Sequence, residues 1–189
     1  MYSQLDLIGQ EQEKIDEMKE LNRSQKYIYR TIYTVLNRRH LFTFYVPKYL
    51  YLRATLPCSK IEEKIKKRFT LGELAEILYI DFLEYIEKND IHSIYKLLTS
   101  RNIAPAHVYQ TEEAYDGVIT EERRGYEEIK ISIKHKDALE GEFLLKDMAE
   151  VYQHDLKLEN IFEIVFCNFI DDYRKKLIKN PLDKILHYI

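Results

Sequence analysis

The chain has no tryptophan, five glycines, four prolines and two cysteines among 189 residues. Each scarcity excludes something. Cys58 and Cys167 form no C-x-x-C pair, which excludes a disulfide framework and a thiolate metal site and leaves two buried free thiols as the expected state. With so few glycines there is no phosphate-binding glycine loop, and no G-x-S-x-G nucleophile turn occurs. His40, His92, His107, His135, His154 and His187 show neither H-x-x-x-H nor H-E-x-x-H spacing, so no metal or other cofactor is expected. No apolar run is long enough to span a bilayer, and the opening MYSQLDLIGQEQEK lacks the basic start and apolar core of a leader. These absences predict a cytoplasmic, non-enzymatic protein with no membrane partner. Two catalytic patterns stand against that expectation. The sixteen tyrosines have no accompanying H-x-x-R, and packing at helical spacing accounts for them without recombinase chemistry. Asp116 with Glu128-Ile-Lys130 is the carboxylate–lysine layout of a metal-dependent nuclease, with no further residue in its support.

What the chain does have is segregated charge. Its net charge is only -3, yet residues 1–20 hold six acidic and two basic side chains, and residues 21–70 hold twelve basic and two acidic. The remaining residues return to an acidic balance of 24 against 15. A polyanion responds to local field rather than to the total, so the basic segment is the candidate contact surface, with a solvated face as the plain alternative.

Apolar residues at spacings of three, four and seven (Leu5, Ile8, Ile15, Met18, Leu21, Ile28, Ile32, Val35) predict one long helix over about 4–36, or two with a break near Gly9. Its apolar stripe would lie on the body or against a second copy. The Asn37-Arg38-Arg39-His40 cluster would end it with charge that suits a helix C-terminus. His40 to Pro47 alternates apolar and polar residues with β-branched and aromatic content, which predicts a strand. Lys48 to Leu56 fits either a helix with Leu50, Ala54 and Leu56 inward or a second strand, and Pro57 argues against a long uninterrupted helix. Ser59 is placed to cap a following segment carrying Ile61, Ile65 and Phe69. Thr70-Leu-Gly-Glu73 has capping-box form and opens an apolar helix, with a shorter helix after it from Asp90 to Ser100. Residues 102–125 read as connector. Glu127 to Lys134 predicts a strand and Asp137 to Tyr152 a helix with Leu139, Phe143, Leu144, Met148 and Val151 inward. A helix from Leu158 to about Leu177 follows, and Asn180-Pro181 precedes a short tail.

Two of these stretches match. Leu71–Glu84 (LGELAEILYIDFLE) and Leu158–Asp171 (LENIFEIVFCNFID), 87 positions apart, share Leu71/Leu158, Glu76/Glu163, Ile77/Ile164 and Phe82/Phe169. The register continues upstream without a gap, setting Phe42, Phe44 and Val46 on Ile129, Ile131 and Ile133. Two unrelated amphipathic helices also agree in this way, but the strands extend the match, which favours an internal duplication.

The alternating strand ending in Pro47, then Leu50 and Arg53-Ala54, the capped turn Thr70-Leu-Gly-Glu73-Leu74 and the apolar helix after it resemble the ribbon-helix-helix DNA-binding superfamily. The resemblance covers about residues 41–89 and again 127–177. Pro57 and Lys157, the latter where Ser or Thr would stand, depart from the pattern. It implies a mainly α chain with short strands: an N-terminal helix (1–37), one ribbon-helix-helix-like repeat (38–89), a connecting helix and loop (90–125), a second repeat (126–178) and a tail (179–189). Strands of this superfamily pair antiparallel, here within one chain or between chains, and the ribbon enters the major groove.

On that resemblance Leu41, Thr43, Tyr45, Lys130, Ser132 and Lys134 would face bases. Arg38, Arg39, Lys48 and Arg53, with backbone groups at Thr70-Leu71 and Lys157-Leu158, would hold phosphates. The expected partner is double-stranded DNA, read by a transcriptional regulator or repressor, or by an accessory protein that marks a site on a plasmid, phage or conjugative element. A homo-oligomer through the N-terminal helix or the ribbon is a further expectation. The competing class is a protein-interaction module whose basic segment meets an acidic partner.

Overall fold

A computed structural model describes residues 6–22, 39–100, 108–109, 122–123 and 125–189. In chain order the elements are α1 (Leu7–Glu20), β1 (Arg39–Pro47), α2 (Lys48–Ile65), α3 (Leu71–Ile86), α4 (Ile91–Thr99), β2 (Val108–Tyr109), β3 (Glu122–Arg123), β4 (Tyr126–Lys134), α5 (His135–Val151), α6 (Leu158–Lys175) and α7 (Pro181–Leu186). None of these helices is long and apolar enough to cross a membrane.

Strands β1 and β4 form an antiparallel two-stranded ribbon within the chain, with Phe42 opposite Ile131, Thr43 opposite Lys130 and Phe44 opposite Ile129. Period two puts Phe42, Phe44, Val46, Ile129, Ile131 and Ile133 on one face, all of them buried. A lone two-stranded ribbon is marginal in water, so its inner face must be covered. Helices α3 and α6 cover it. Phe42 meets Phe162 edge-on at 5.3 Å, Phe44 meets Phe166 at 5.7 Å, and Tyr79 of α3 meets Phe162 at 4.8 Å. Such edge-to-face pairs add roughly 0.5–1.5 kcal/mol each beyond burial.

Each strand passes directly into a helix. Pro47 precedes α2 and Lys134 precedes α5. The ambiguous stretch after Pro47 is therefore helical, with Leu50 and Ala54 buried and Leu56 60% exposed. Helix α2 does not stop at Pro57, contrary to the sequence expectation, and Ser59 lies inside it, its hydroxyl donating to the Thr55 carbonyl at 3.0 Å rather than capping a new segment. The physical reason is packing. Pro57 is buried in the stripe formed by Leu50, Ala54, Cys58 and Ile61, and Arg53, whose carbonyl loses its donor to the proline ring, lies on the exposed side. The Thr70–Glu73 capping box forms as expected, with Thr70 N–H donating to Glu73 Oε2 at 2.6 Å and Glu73 N–H to Thr70 Oγ1 at 3.2 Å.

Helix α1 is shorter than expected. Its start is held from α5, because Glu142 Oε2 accepts from the amides of Leu7 and Ile8 at 2.8 and 3.1 Å. Gly9 is no break: the Asp6 carboxylate folds over it to accept from its amide at 2.8 Å. Leu21 is extended and ends the helix, and Ile15 on the expected inner stripe is 51% exposed. Leu5, Ile28, Ile32 and Val35 of that stripe lie outside the described residues. Arg39, expected to close this helix, belongs to β1, which also takes in His40, where the strand was expected to begin.

Helix α5 buries Leu144 and Met148 as expected and packs Leu139 partly against the core, but Phe143 and Val151, also expected inward, are exposed, and Ala138 and Gly141 face the core instead. Gly141 decides the orientation: without a side chain there, the hydroxyl of buried Tyr79 reaches the Asp137 carbonyl at 2.9 Å. The tail does dock. Ile185 of α7 is buried, Lys184 pairs with Asp81 at 2.7 Å, and the Tyr188 hydroxyl donates to Glu84 at 3.0 Å.

Candidate nucleic-acid interface

The outer face of the ribbon carries Arg39, Leu41, Thr43, Tyr45 and Pro47 on β1 opposite Lys134, Ser132, Lys130, Glu128 and Tyr126 on β4. All six residues expected to face bases therefore lie side by side on one surface. Leu41 is 67% exposed, Lys130 and Lys134 are exposed, and Thr43, Tyr45 and Ser132 are half-buried. Three cations against one carboxylate make this face basic, and they are unevenly spread. Arg39 and Lys134 sit at one end; Tyr45, Glu128, Pro47 and Tyr126 make the other.

Two of the three cations are already engaged. Lys130 Nζ lies 3.2 Å from Glu128 on the same strand face. Arg39 Nη2 lies 2.6 Å from Glu76 Oε1 of α3, and its Nε donates to Ser132 Oγ at 3.0 Å. Arg39 thus ties β1 to β4 and to α3 as well as standing on the outer face. Lys48 pairs with Glu127 at 3.3 Å, Arg53 is exposed on α2, and Arg38 lies outside the described residues.

The start of α3 abuts the ribbon. A methyl group at Gly72 would lie 2.5 Å from the carbonyl oxygen of Lys130, so only glycine permits this approach. Beside it opens a groove of about 430 Å³ between α2, the Thr70–Gly72 turn and β4. Arg68 and Lys130 edge it, with Glu62 and Glu128 as opposing charges. The amides of Leu71 and Gly72 have no acceptor among the described residues, because the capping box takes those of Thr70 and Glu73. Unpaired amides at a helix N-terminus next to cations are suited to an anion. Sequence reasoning counted Arg68 in the basic segment without giving it a role; its place two residues before the capping threonine was the available signal.

The start of α6 is built differently. Lys157 N–H donates to Asn160 Oδ1 at 2.9 Å, Leu158 is buried, and at the next position Glu159 is a buried acid. A phosphate there would approach a carboxyl group where α3 offers Gly72.

No family model, curated protein or solved structure matches the chain. As for catalysis, Glu128 and Lys130 pair with each other, Asp116 lies outside the described residues, and no group of three His, Cys, Asp or Glu side chains among the described residues could hold a metal ion.

Proposed function

We propose that the chain is a tandem ribbon-helix-helix protein that binds double-stranded DNA sequence-specifically by laying the β1–β4 ribbon in the major groove. The observation that carries this reading is the intrachain antiparallel ribbon, its six apolar side chains sealed on helices and its outer face left for Leu41, Thr43, Tyr45, Lys130, Ser132 and Lys134. Further support comes from element positions. Arg39 and Tyr126, Lys48 and His135, and Leu71 and Leu158, which open the strands and the helices after them, are each 87 positions apart. Two strands about 4.8 Å apart fit a groove about 12 Å wide, and nine residues reach about 27 Å along it.

In this reading the base contacts are asymmetric. Lys130 and Lys134 suit guanine acceptors, Thr43 and Ser132 serve either partner, and Leu41 meets a thymine methyl group. Phosphate contact belongs chiefly to the α3 start with Arg68, while the α6 start, with Glu159, contributes less. Arg39 acts first by holding the ribbon to α3 and only second as a cation. Lys48 and Arg53 add salt-dependent affinity, and Arg38 would add to it. The role is that of a regulator or an accessory protein marking a site on a mobile element.

The test is selection of bound duplexes from a random pool, followed by anisotropy titration of the winner and a scrambled duplex at several salt concentrations. The proposal requires an enriched, non-palindromic sequence and affinity that falls steeply with salt. A pool without enrichment and no binding at low salt sink it. A second reading, a protein-interaction module, is favoured by Tyr49, Leu52 and Leu56, exposed at helical spacing on α2. Under that reading the same titration gives no binding, and Leu52→Glu abolishes capture of an acidic protein partner.

A further inference from the structure

Toward the C-terminal half of α3, away from the end that abuts the ribbon, a cavity of about 330 Å³ opens between α3, α6 and α7. Its volume falls at the lower end of small-molecule sites, which run from about 300 to 1,000 Å³. Phe82, Leu97, Val165 and Phe169 make the walls, and Ile185 of the docked tail closes one side.

The polar groups in this apolar lining fall into two sets. Asp81 is satisfied by Lys184, which also lines the cavity, at 2.7 Å. Asn168 and Asp172 are different. They stand one turn apart on α6, both line the cavity, and neither side chain makes a hydrogen bond or ion pair with a described residue. The Asp172 carbonyl accepts from Leu177 N–H at 3.0 Å to close α6, but its carboxylate takes no part.

We infer that this cavity is a binding site for a small apolar molecule carrying one ammonium group. An ammonium ion supplies donors to Asp172 and to Asn168 Oδ1, while the hydrocarbon displaces water from Phe82, Phe169, Leu97 and Val165. The aromatic faces of Phe82 and Phe169 also favour a cation over an anion. An alcohol of similar size would offer Asp172 a neutral hydrogen bond in place of a charge-assisted one, and an anion would face Asp172 across a cavity whose lining ammonium, Lys184, is already paired with Asp81. No ribbon residue lines the cavity, so the inference stands or falls independently of the DNA reading.

The experiment uses the full chain and three probes that share a phenylethyl body and differ in head group, 2-phenylethylamine, 2-phenylethanol and 3-phenylpropanoate, by titration calorimetry near neutral pH. The amine is expected to bind about tenfold more tightly than the alcohol, with the carboxylate weakest. Asp172→Asn should bring the amine and alcohol together, and Val165→Phe should abolish binding of all three by filling the cavity. Equal affinity of amine and alcohol for the wild-type chain overturns the inference, as does no binding of any probe at millimolar concentration. An amine preference that survives Asp172→Asn also overturns it. The wild-type comparison needs no variant to fold.

Discussion

Gly141→Ala puts the packing account at risk most sharply. In a free helix this substitution is favourable by about 1 kcal/mol, because alanine removes backbone entropy from the unfolded chain. Here the new methyl group would overlap the Tyr79 hydroxyl and lie 2.6 Å from Leu158 Cδ2. Tyr79 is fully buried and its hydroxyl is bonded to the Asp137 carbonyl, so it has no free space to enter. Overpacking costs about 1–3 kcal/mol and a displaced buried hydroxyl about 1–3 more. Subtracting the helix gain leaves a net loss of about 1–5 kcal/mol. Tyr79→Phe alone should cost about 1–1.5 kcal/mol, for one hydrogen bond. The double variant should cost less than the sum, because the atom in conflict is gone: the nearest ring carbon would be 3.3 Å away and the Leu158 methyl can swing aside. Urea unfolding of the four proteins measures the coupling, expected at about 2 kcal/mol in favour of the double variant. Additive effects, or a Gly141→Ala chain more stable than wild type by the full helix gain, would refute this packing.

Arg39→Ala should destabilise the chain by about 0.2–1 kcal/mol, since its pair with Glu76 is partly exposed, and Glu76→Ala should match it within that range in urea unfolding. Glu128→Gln removes the one carboxylate on the ribbon face and releases Lys130, so affinity for a selected duplex should rise several-fold in anisotropy titration; unchanged or weaker binding contradicts the docking face. Burial raises the Glu11 carboxyl pKa, but hydrogen bonds and charge from Lys14 and His135 outweigh it, and the net shift is downward. A folded pKa below the unfolded one stabilises the chain above the ordinary carboxyl range and stops doing so as pH falls through the folded value. The stability gap between wild type and Glu11→Gln should therefore be present at neutral pH and close in acid. A gap that widens on acidification would contradict the sign.

The strands were legible because period-two alternation is a local signal, and Phe42, Phe44 and Val46 point inward wherever the strand sits. Their pairing with Ile131, Ile129 and Glu127 was not local; it rested on the resemblance, which implied pairing within the chain and left pairing between chains as the alternative. Local rules failed where tertiary packing outweighed them. A proline inside a helix is costly, yet the buried stripe around Pro57 carries α2 through it. In α5 the expected inner set held at Leu144 and Met148 and failed at Phe143 and Val151, because the absence of a side chain at Gly141, which only matters once Tyr79 is opposite, turns that side of the helix to the core. The Arg39–Glu76 tie spans 37 positions and leaves no trace in spacing. At the candidate site, alternation placed the six ribbon residues. The contrast between Gly72 and Glu159 gained meaning only from burial and from the Lys130 carbonyl beside Gly72.

The central claim, that the outer ribbon face reads bases, is tested most directly by one ratio: affinity for the selected duplex over affinity for its scrambled counterpart, at fixed salt. It should be measured for wild type, Lys130→Ala/Lys134→Ala and Arg53→Ala. The ribbon variant should lose about 1–3 kcal/mol of discrimination per base contact removed, whereas Arg53→Ala should weaken both duplexes alike and leave the ratio unchanged. If both variants lower the two affinities equally and the ratio stays at its wild-type value, the ribbon does not read sequence.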